Sequence, residues 1–259
     1  MPAADTDDLA LLNRVAPKAG EIAMHYFGFD PKYWHKDGDQ GPVSEADLEI
    51  DQFLKTELQR ARPDYGWLSE ETDEDLSRME KKRIFIVDPI DGTRSFLARE
   101  ENFAIAMAVV EDGEVIASVV DMPAKRQRYT AAKGQGAAKN GKPISPSKKS
   151  KLKSARILAA GPQLQTKLWP KGIPPVERHF RSSIAYRLCL VAEGRFDGML
   201  TMRPTWEWDC SAGHLICEEA GVLVRDMNGQ PHRYNSEGAQ MNGVIAAPPK
   251  LHKAFMAYR

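Results

Sequence analysis

Two carboxylates three positions apart, Asp88 and Asp91, close the apolar run in Ile84-Phe85-Ile86-Val87-Asp88-Pro89-Ile90-Asp91-Gly92-Thr93-Arg94-Ser95-Phe96-Leu97. The four residues that open this stretch read as a short buried strand, and the acids stand where it breaks into a turn. Pro89 sets its own φ, and Gly92 lets the backbone come close to a ligand. Acids gathered at a strand end suit a hard cation such as Mg²⁺, which takes oxygen ligands and keeps part of its shell for a substrate phosphate. If a helix opens after Asp91, the amides of Gly92 and Thr93 face the same phosphate. A plainer reading stands beside this one, in which Asp91 only caps that helix. Two more acids extend the pattern: Glu70 after Gly66-Trp67-Leu68-Ser69, and Asp209 in Trp208-Asp209-Cys210-Ser211-Ala212-Gly213. Asp209 also reads as a helix cap. Gathered in space, Glu70, Asp88, Asp91 and Asp209 would repel one another unless cations lay between them, and they carry charge enough for two or three Mg²⁺ ions.

The elements that must position these groups follow from periodicity. Leu9, Leu12, Val15, Ala19, Ile22, Ala23 and Tyr26 recur at helical spacing from about Asp8 to Phe27, and Pro17 is expected to kink or split that helix. A polar loop, Lys36-Asp37-Gly38-Asp39, comes next, with Lys36 a solvated cation on this reading. Ser44 and Asp47 open a second helix as a capping box, with Leu48, Phe53, Leu54 and Leu58 as its buried face. From Thr72 to Lys82 the charge run reads as a solvated face. Apolar runs from Phe103 to Val110 and Val115 to Val120 flank Glu111-Asp112-Gly113-Glu114, a hairpin turn, and Tyr129-Thr130 with Asn140-Gly141 suggest another. These strands make a mainly antiparallel sheet behind the acidic turn. Lys142 to Lys153, with Pro143 and Pro146, reads as a linker, which divides the chain into an α+β unit over 1–145 and a smaller α/β unit over 146–259. Strands and helices alternate in the second unit, with one helix from Ser182-Ser183 to about Glu193 and another running from Asp209 to Gly221.

Composition excludes several classes. Lys+Arg and Asp+Glu both number 36, so there is no general basic field for nucleic acid. The apolar runs fall short of a membrane span, and the acidic N-terminus is unlike a signal peptide. Cys189, Cys210 and Cys217 form an odd set without metal-ligand spacing, read as reduced thiols of a cytoplasmic protein. The six histidines make no H-E-x-x-H pair, which argues against zinc hydrolysis.

Asp88-Pro89-Ile90-Asp91-Gly92-Thr93, Trp208-Asp209 followed by Ala212-Gly213, and the pair Glu70-Glu71 together resemble the motifs of the inositol monophosphatase superfamily, Mg²⁺-dependent and Li⁺-sensitive phosphatases. Order and spacing agree over most of the chain. The resemblance implies an α-β-α-β-α layered sandwich and a small phosphomonoester as substrate, and it leaves monomer and homodimer open. It implies one metal on Glu70, Asp88 and the Ile90 carbonyl, a second on Asp88, Asp91 and Asp209, and a weaker third on Glu70. Thr93, oriented by Asp47, matches the group that takes a proton from the attacking water; Gly92 and Thr93 hold the phosphate, and Lys36 lies near the metals.

Inositol-specific members carry a glutamate seven residues before the second-motif aspartate, where this chain has Met202. Arg94-Ser95-Phe96, Pro204-Thr205 and Ser182-Ser183 are nearer the 3′(2′),5′-bisphosphate nucleotidase branch, which acts on adenosine 3′,5′-bisphosphate. On that reading Ser183, Met202 and Asp209 meet the substrate, Trp206 could stack on its base, and Arg187, Arg181 or Lys171 binds the second phosphate, although each of these cations also reads as a surface charge. The alternatives are an inositol-1-phosphatase with Glu207 serving the sugar, another sugar or histidinol phosphatase, and a regulatory binding protein.

Overall fold

A computed structural model describes residues 3–29, 31–36, 41–73 and 75–259. In chain order its elements are α1 (Ala3–Phe27), β1 (Tyr33–His35), β2 (Pro42–Ser44), α2 (Glu45–Ala61), β3 (Gly66–Ser69), β4 (Arg83–Asp91), α3 (Thr93–Leu97), β5 (Ala104–Glu111), β6 (Glu114–Met122), β7 (Gln127–Ala132), β8 (Ala137–Lys139) and β9 (Lys142–Pro143). Then follow β10 (Arg156–Leu158), β11 (Glu177–His179), α4 (Ile184–Ala192), β12 (Gly198–Thr201), β13 (Thr205–Trp206), α5 (Glu207–Ala220), β14 (Leu223–Arg225), β15 (Gln240–Met241), β16 (Val244–Ala247) and α6 (Pro249–Met256).

Among the described residues β3 to β9 form a seven-stranded sheet in sequential order, and β11-β10-β12-β16-β14 form a second, five-stranded one. In the first sheet β3 runs parallel to β4, and the other neighbours are antiparallel. Asp112 and Gly113 join β5 to β6 with φ of 49° and 81°, the left-handed pair that a tight hairpin turn needs. Strand alternation sets the layers. Phe85, Val87, Ile105, Met107 and Val109 pack with Leu12, Ile50 and Leu54 of α1 and α2. Ile84, Ile86, Ala106 and Ala108 face the other way, onto Leu188 and Val191 of α4 and Leu215 and Ile216 of α5. The same middle core takes Leu158, Met199 and Ala246 from one face of the second sheet. The opposite face, Ile157, Leu200 and Ile245, packs on Leu251 and Phe255 of α6. The five layers are therefore α, β, α, β, α.

Three local expectations change. The first helix is one continuous element through Pro17, because the apolar face of α1 (Leu12, Val15, Ala16, Ala19) stays against the sheet on both sides of it. Leu48 is exposed and Ile50 takes the buried place on α2, since the side that carries Asp47 and Asp51 is the one turned inward. Arg78, inside the charged run read as solvated, is buried and bonded to Asn235 and to the Ser236 carbonyl. It ties the β3–β4 connection to the loop ahead of β15.

Candidate active site

The strand that carries the first two acids is irregular where they sit. β4 pairs with β5 in steady register to Asp88↔Ala106, then shifts and resumes at Asp91↔Ala104. That leaves one extra residue on β4, a bulge, at a point where Pro89 has no N–H to give the ladder. The bulge sets the side on which the second acid lies. In a regular strand, acids three apart would face opposite sides. Here Ile90 joins the α1/α2 core, and Asp91 returns to the side of Asp88.

Asp88, Asp91 and Asp209 each offer an oxygen, and these three atoms lie within 4.8 Å of one another. Both oxygens of Asp88 are buried without a hydrogen-bond partner among the described residues. Burial, then Glu70, Asp91 and Asp209, push the Asp88 carboxyl well above the ordinary range. Asp91 is held at the start of α4 by the Ser183 hydroxyl (2.7 Å) and the amides of Ala185 (2.6 Å) and Ile184 (3.2 Å). Burial still raises its pKa to about 6. Asp209 is raised by burial and by Asp91; it lies inside the first turn of α5, whose N-cap is Trp206, so it is not the cap. Desolvated acids with no cation among them are costly, and an all-oxygen donor set suits a hard divalent ion. The residues present fit Mg²⁺.

This arrangement makes metal and protons compete. A carboxyl whose folded pKa is raised makes the metal-free native state bind more protons than the unfolded chain. Stability from that source is present at low pH and is lost as pH rises from the unfolded value, roughly 4, through about 6 for Asp91. Mg²⁺ held by these acids would restore it by replacing the protons. The rise in Tm on adding saturating Mg²⁺ should therefore be small at pH 5 and grow toward pH 8. An equal rise at both would count against these acids as its ligands.

Gly92 precedes α3 at φ 103°, where a Cβ would stand 3.1 Å from the Asn102 carbonyl oxygen. Thr93, the first residue of α3, places its hydroxyl 3.3 Å from Asp47 Oδ1 and 3.1 Å from the Ile90 carbonyl. Asp47 meets both readings offered by the sequence. Its Oδ2 takes the Ser44 amide (2.8 Å) and hydroxyl (2.5 Å) at the start of α2, and its Oδ1 faces Thr93. Burial raises the Asp47 pKa to about 6, against the lowering effect of the Ser44 bonds.

Glu70 borders the same cavity but lies outside the close cluster of three. Its Oε1 is 3.0 Å from Lys36 Nζ, which also contacts Glu71 at 2.7 Å. Lys36 is thus part-buried and paired with these two acids rather than solvated. Asp37, Gly38 and Asp39 lie outside the described residues.

The cavity, about 730 Å³, collects Glu70, Asp88, Ile90, Asp91, Gly92, Thr93 and Asp209. Of the expected substrate contacts, Arg187 lines it and Ser183 is engaged with Asp91. Met202 does not line it; one residue past the end of β12, its side chain joins Leu200 in the core under α6. Lys171 and Arg181 are also absent from the lining, and Glu207 is turned to Asn235 and Ser236 (2.6 and 2.9 Å to their amides). Arg94, Arg203 and Trp206 do line it. Trp206 stacks on Trp208 with centroids 4.8 Å apart. Sequence reasoning passed over Arg203, which adjoins Met202 and carried no motif.

A family model described as the inositol monophosphatase family matches residues 6–259. Over 196 residues the chain is 35% identical to an inositol-1-monophosphatase of Rhizobium meliloti (strain 1021), covering 72% of this chain and 73% of that one. It is 31% identical over 242 residues to a histidinol-phosphatase of Chlorobaculum parvum, at 90% and 91% coverage. Among solved structures, extragenic suppressor protein suhB from Bartonella henselae matches with a TM-score of 0.84 at 27% identity, covering 97% of this chain and 98% of that one.

Proposed function

We propose a substrate for a chain that belongs to the inositol monophosphatase family and is a phosphomonoester hydrolase: a nucleotide of the 3′(2′),5′-bisphosphate type, which loses one phosphate in a Mg²⁺-dependent reaction. The observation that carries this choice is the company the carboxylates keep. Arg94, Arg187 and Arg203 line the same cavity, and the Trp206 ring lines it with them. Arg187 is buried, and its hydrogen bonds go to the carbonyls of Ser182 and Ser183 rather than to a carboxylate among the described residues. Guanidinium groups beside a hydrolytic site suit a second phosphate, and an indole face suits a base.

Glu70, Asp88, the Ile90 carbonyl, Asp91 and Asp209 would hold the metal. Mg²⁺ at these ligands supplies Lewis acidity toward the phosphoryl oxygens and makes water more acidic. The Thr93 hydroxyl takes the proton of the attacking water as it passes its own toward Asp47 Oδ1. The new P–O bond forms as the ester P–O bond breaks in line. The amides of Gly92 and Thr93 hold the phosphate. Li⁺ should inhibit by competing for a metal position. The three buried free thiols suit a reducing, cytoplasmic compartment.

The test is phosphate release from adenosine 3′,5′-bisphosphate, inositol 1-phosphate, fructose 1,6-bisphosphate and histidinol phosphate. The first should exceed inositol 1-phosphate in kcat/KM by at least about tenfold, ~1.4 kcal/mol of discrimination. Equal or reversed values would move the chain to inositol 1-phosphate, a reading that its similarity to the Rhizobium meliloti protein also supports. Because Met202 is in the core, the preference has to come from Arg187, Arg203 and Trp206.

A further inference from the structure

α2 carries a second buried acid, Asp51, four residues after Asp47 and so on the same side of the helix. Its two oxygens are both engaged. Oδ1 takes the Ser69 hydroxyl at 2.5 Å, and Oδ2 takes the Thr72 hydroxyl at 2.7 Å. Those two residues flank Glu70-Glu71. Around them Trp67 Nε1 donates to Thr72 Oγ1 (3.0 Å), the Glu71 amide approaches Ser69 Oγ (3.4 Å), and the Glu70 amide donates to the Val87 carbonyl (3.3 Å). The turn that presents Glu70 to the cavity is therefore hung at both ends from one carboxylate.

We propose that Asp51 is a positioning residue that sets the metal affinity of the site through Glu70. One face of α2 then registers two parts of the machinery, Thr93 through Asp47 and Glu70 through Asp51. The physical reason is tolerance. A metal ligand has to be held within about 0.5 Å of its working position, and a turn beyond a strand end does not hold itself there. Two hydroxyl-to-carboxylate bonds, shorter and stronger than neutral ones, supply the constraint. This inference rests on the reading of Glu70 as a Mg²⁺ ligand.

The experiment is calorimetric titration of Mg²⁺ into wild type, Asp51→Asn and Thr72→Val, with kcat measured at saturating Mg²⁺. Loss of such supporting partners typically costs about 10–100-fold in metal affinity or activity. Asp51→Asn should raise the Mg²⁺ Kd by about tenfold or more, with kcat at saturation close to wild type. Thr72→Val, which keeps the Ser69 bond, should give a smaller rise in the same direction. In a Glu70→Gln background Asp51→Asn should add little, since the pair acts as one unit. A merely structural role would lower the Tm of the metal-free protein and leave the Kd alone. Folded Asp51→Asn and Thr72→Val proteins that bind Mg²⁺ within twofold of wild type overturn the proposal; if Asp51→Asn does not fold, Thr72→Val alone decides. A wild-type protein that takes up no Mg²⁺ overturns the metal reading itself, a result distinct from the first.

Discussion

Asp88→Asn should abolish turnover and leave the fold intact. The amide has the shape of the carboxylate, so the bulge and the packing of β4 are kept, while a charge and an acceptor oxygen are lost. Both Asp88 oxygens lack a partner among the described residues, and the side chain shares its cluster with Asp91 and Asp209. Losing several kcal/mol of transition-state charge stabilisation means a fall of more than about 10³-fold in kcat/KM. The metal-free variant should also melt no lower than wild type, since one of three buried like charges is gone. Activity measured across a Mg²⁺ titration to saturation, with melting curves of both proteins, checks the pair of outcomes. Turnover near wild type at saturating Mg²⁺ would remove Asp88 from the metal site.

Thr93→Ala should lower kcat by about 10²–10⁴-fold, the usual worth of positioned proton transfer, while KM should move little. The hydroxyl sits between Asp47 Oδ1 and the Ile90 carbonyl, so it is placed to move a proton. The phosphate contacts assigned to residues 92 and 93 are backbone amides and survive the change. Thr93→Ser keeps the oxygen and should keep most of the rate. Steady-state kinetics on the proposed bisphosphate substrate separate kcat from KM. A Thr93→Ala enzyme within twofold of wild type would show that water is activated without the hydroxyl.

How much of this was legible in the chain depends on whether the information is local. The strand ahead of Asp88, the turn at Asp112-Gly113 and the cap at Ser44 depend on neighbours in sequence, and they stand where periodicity and turn chemistry put them. The described residues from Thr72 to Lys82 are exposed or partly exposed as the charge run implied, except Arg78, whose burial depends on Asn235 and Ser236, some 157 and 158 positions away. Met202 misled for a related reason. Its offset from Asp209 can be counted along the chain, but its side, that of Leu200 facing α6, is set by how the second sheet packs.

The sequence by itself determined the donor chemistry: carboxylate oxygens at Glu70, Asp88, Asp91 and Asp209, a hydroxyl at Thr93, an acid at Asp47, and the order of helices and strands that carries them. Those are properties of residue type and short-range pattern. Only the tertiary structure decided that a bulge turns Asp91 to the side of Asp88, that the start of α4 holds Asp91, that Arg203 and Trp206 rather than Met202 border the cavity, and that Asp51 holds the turn of Glu70. Each of these is a contact between segments distant in sequence or a choice of face. Both are settled when the layers pack and bury the apolar side of every strand, and no local spacing encodes them.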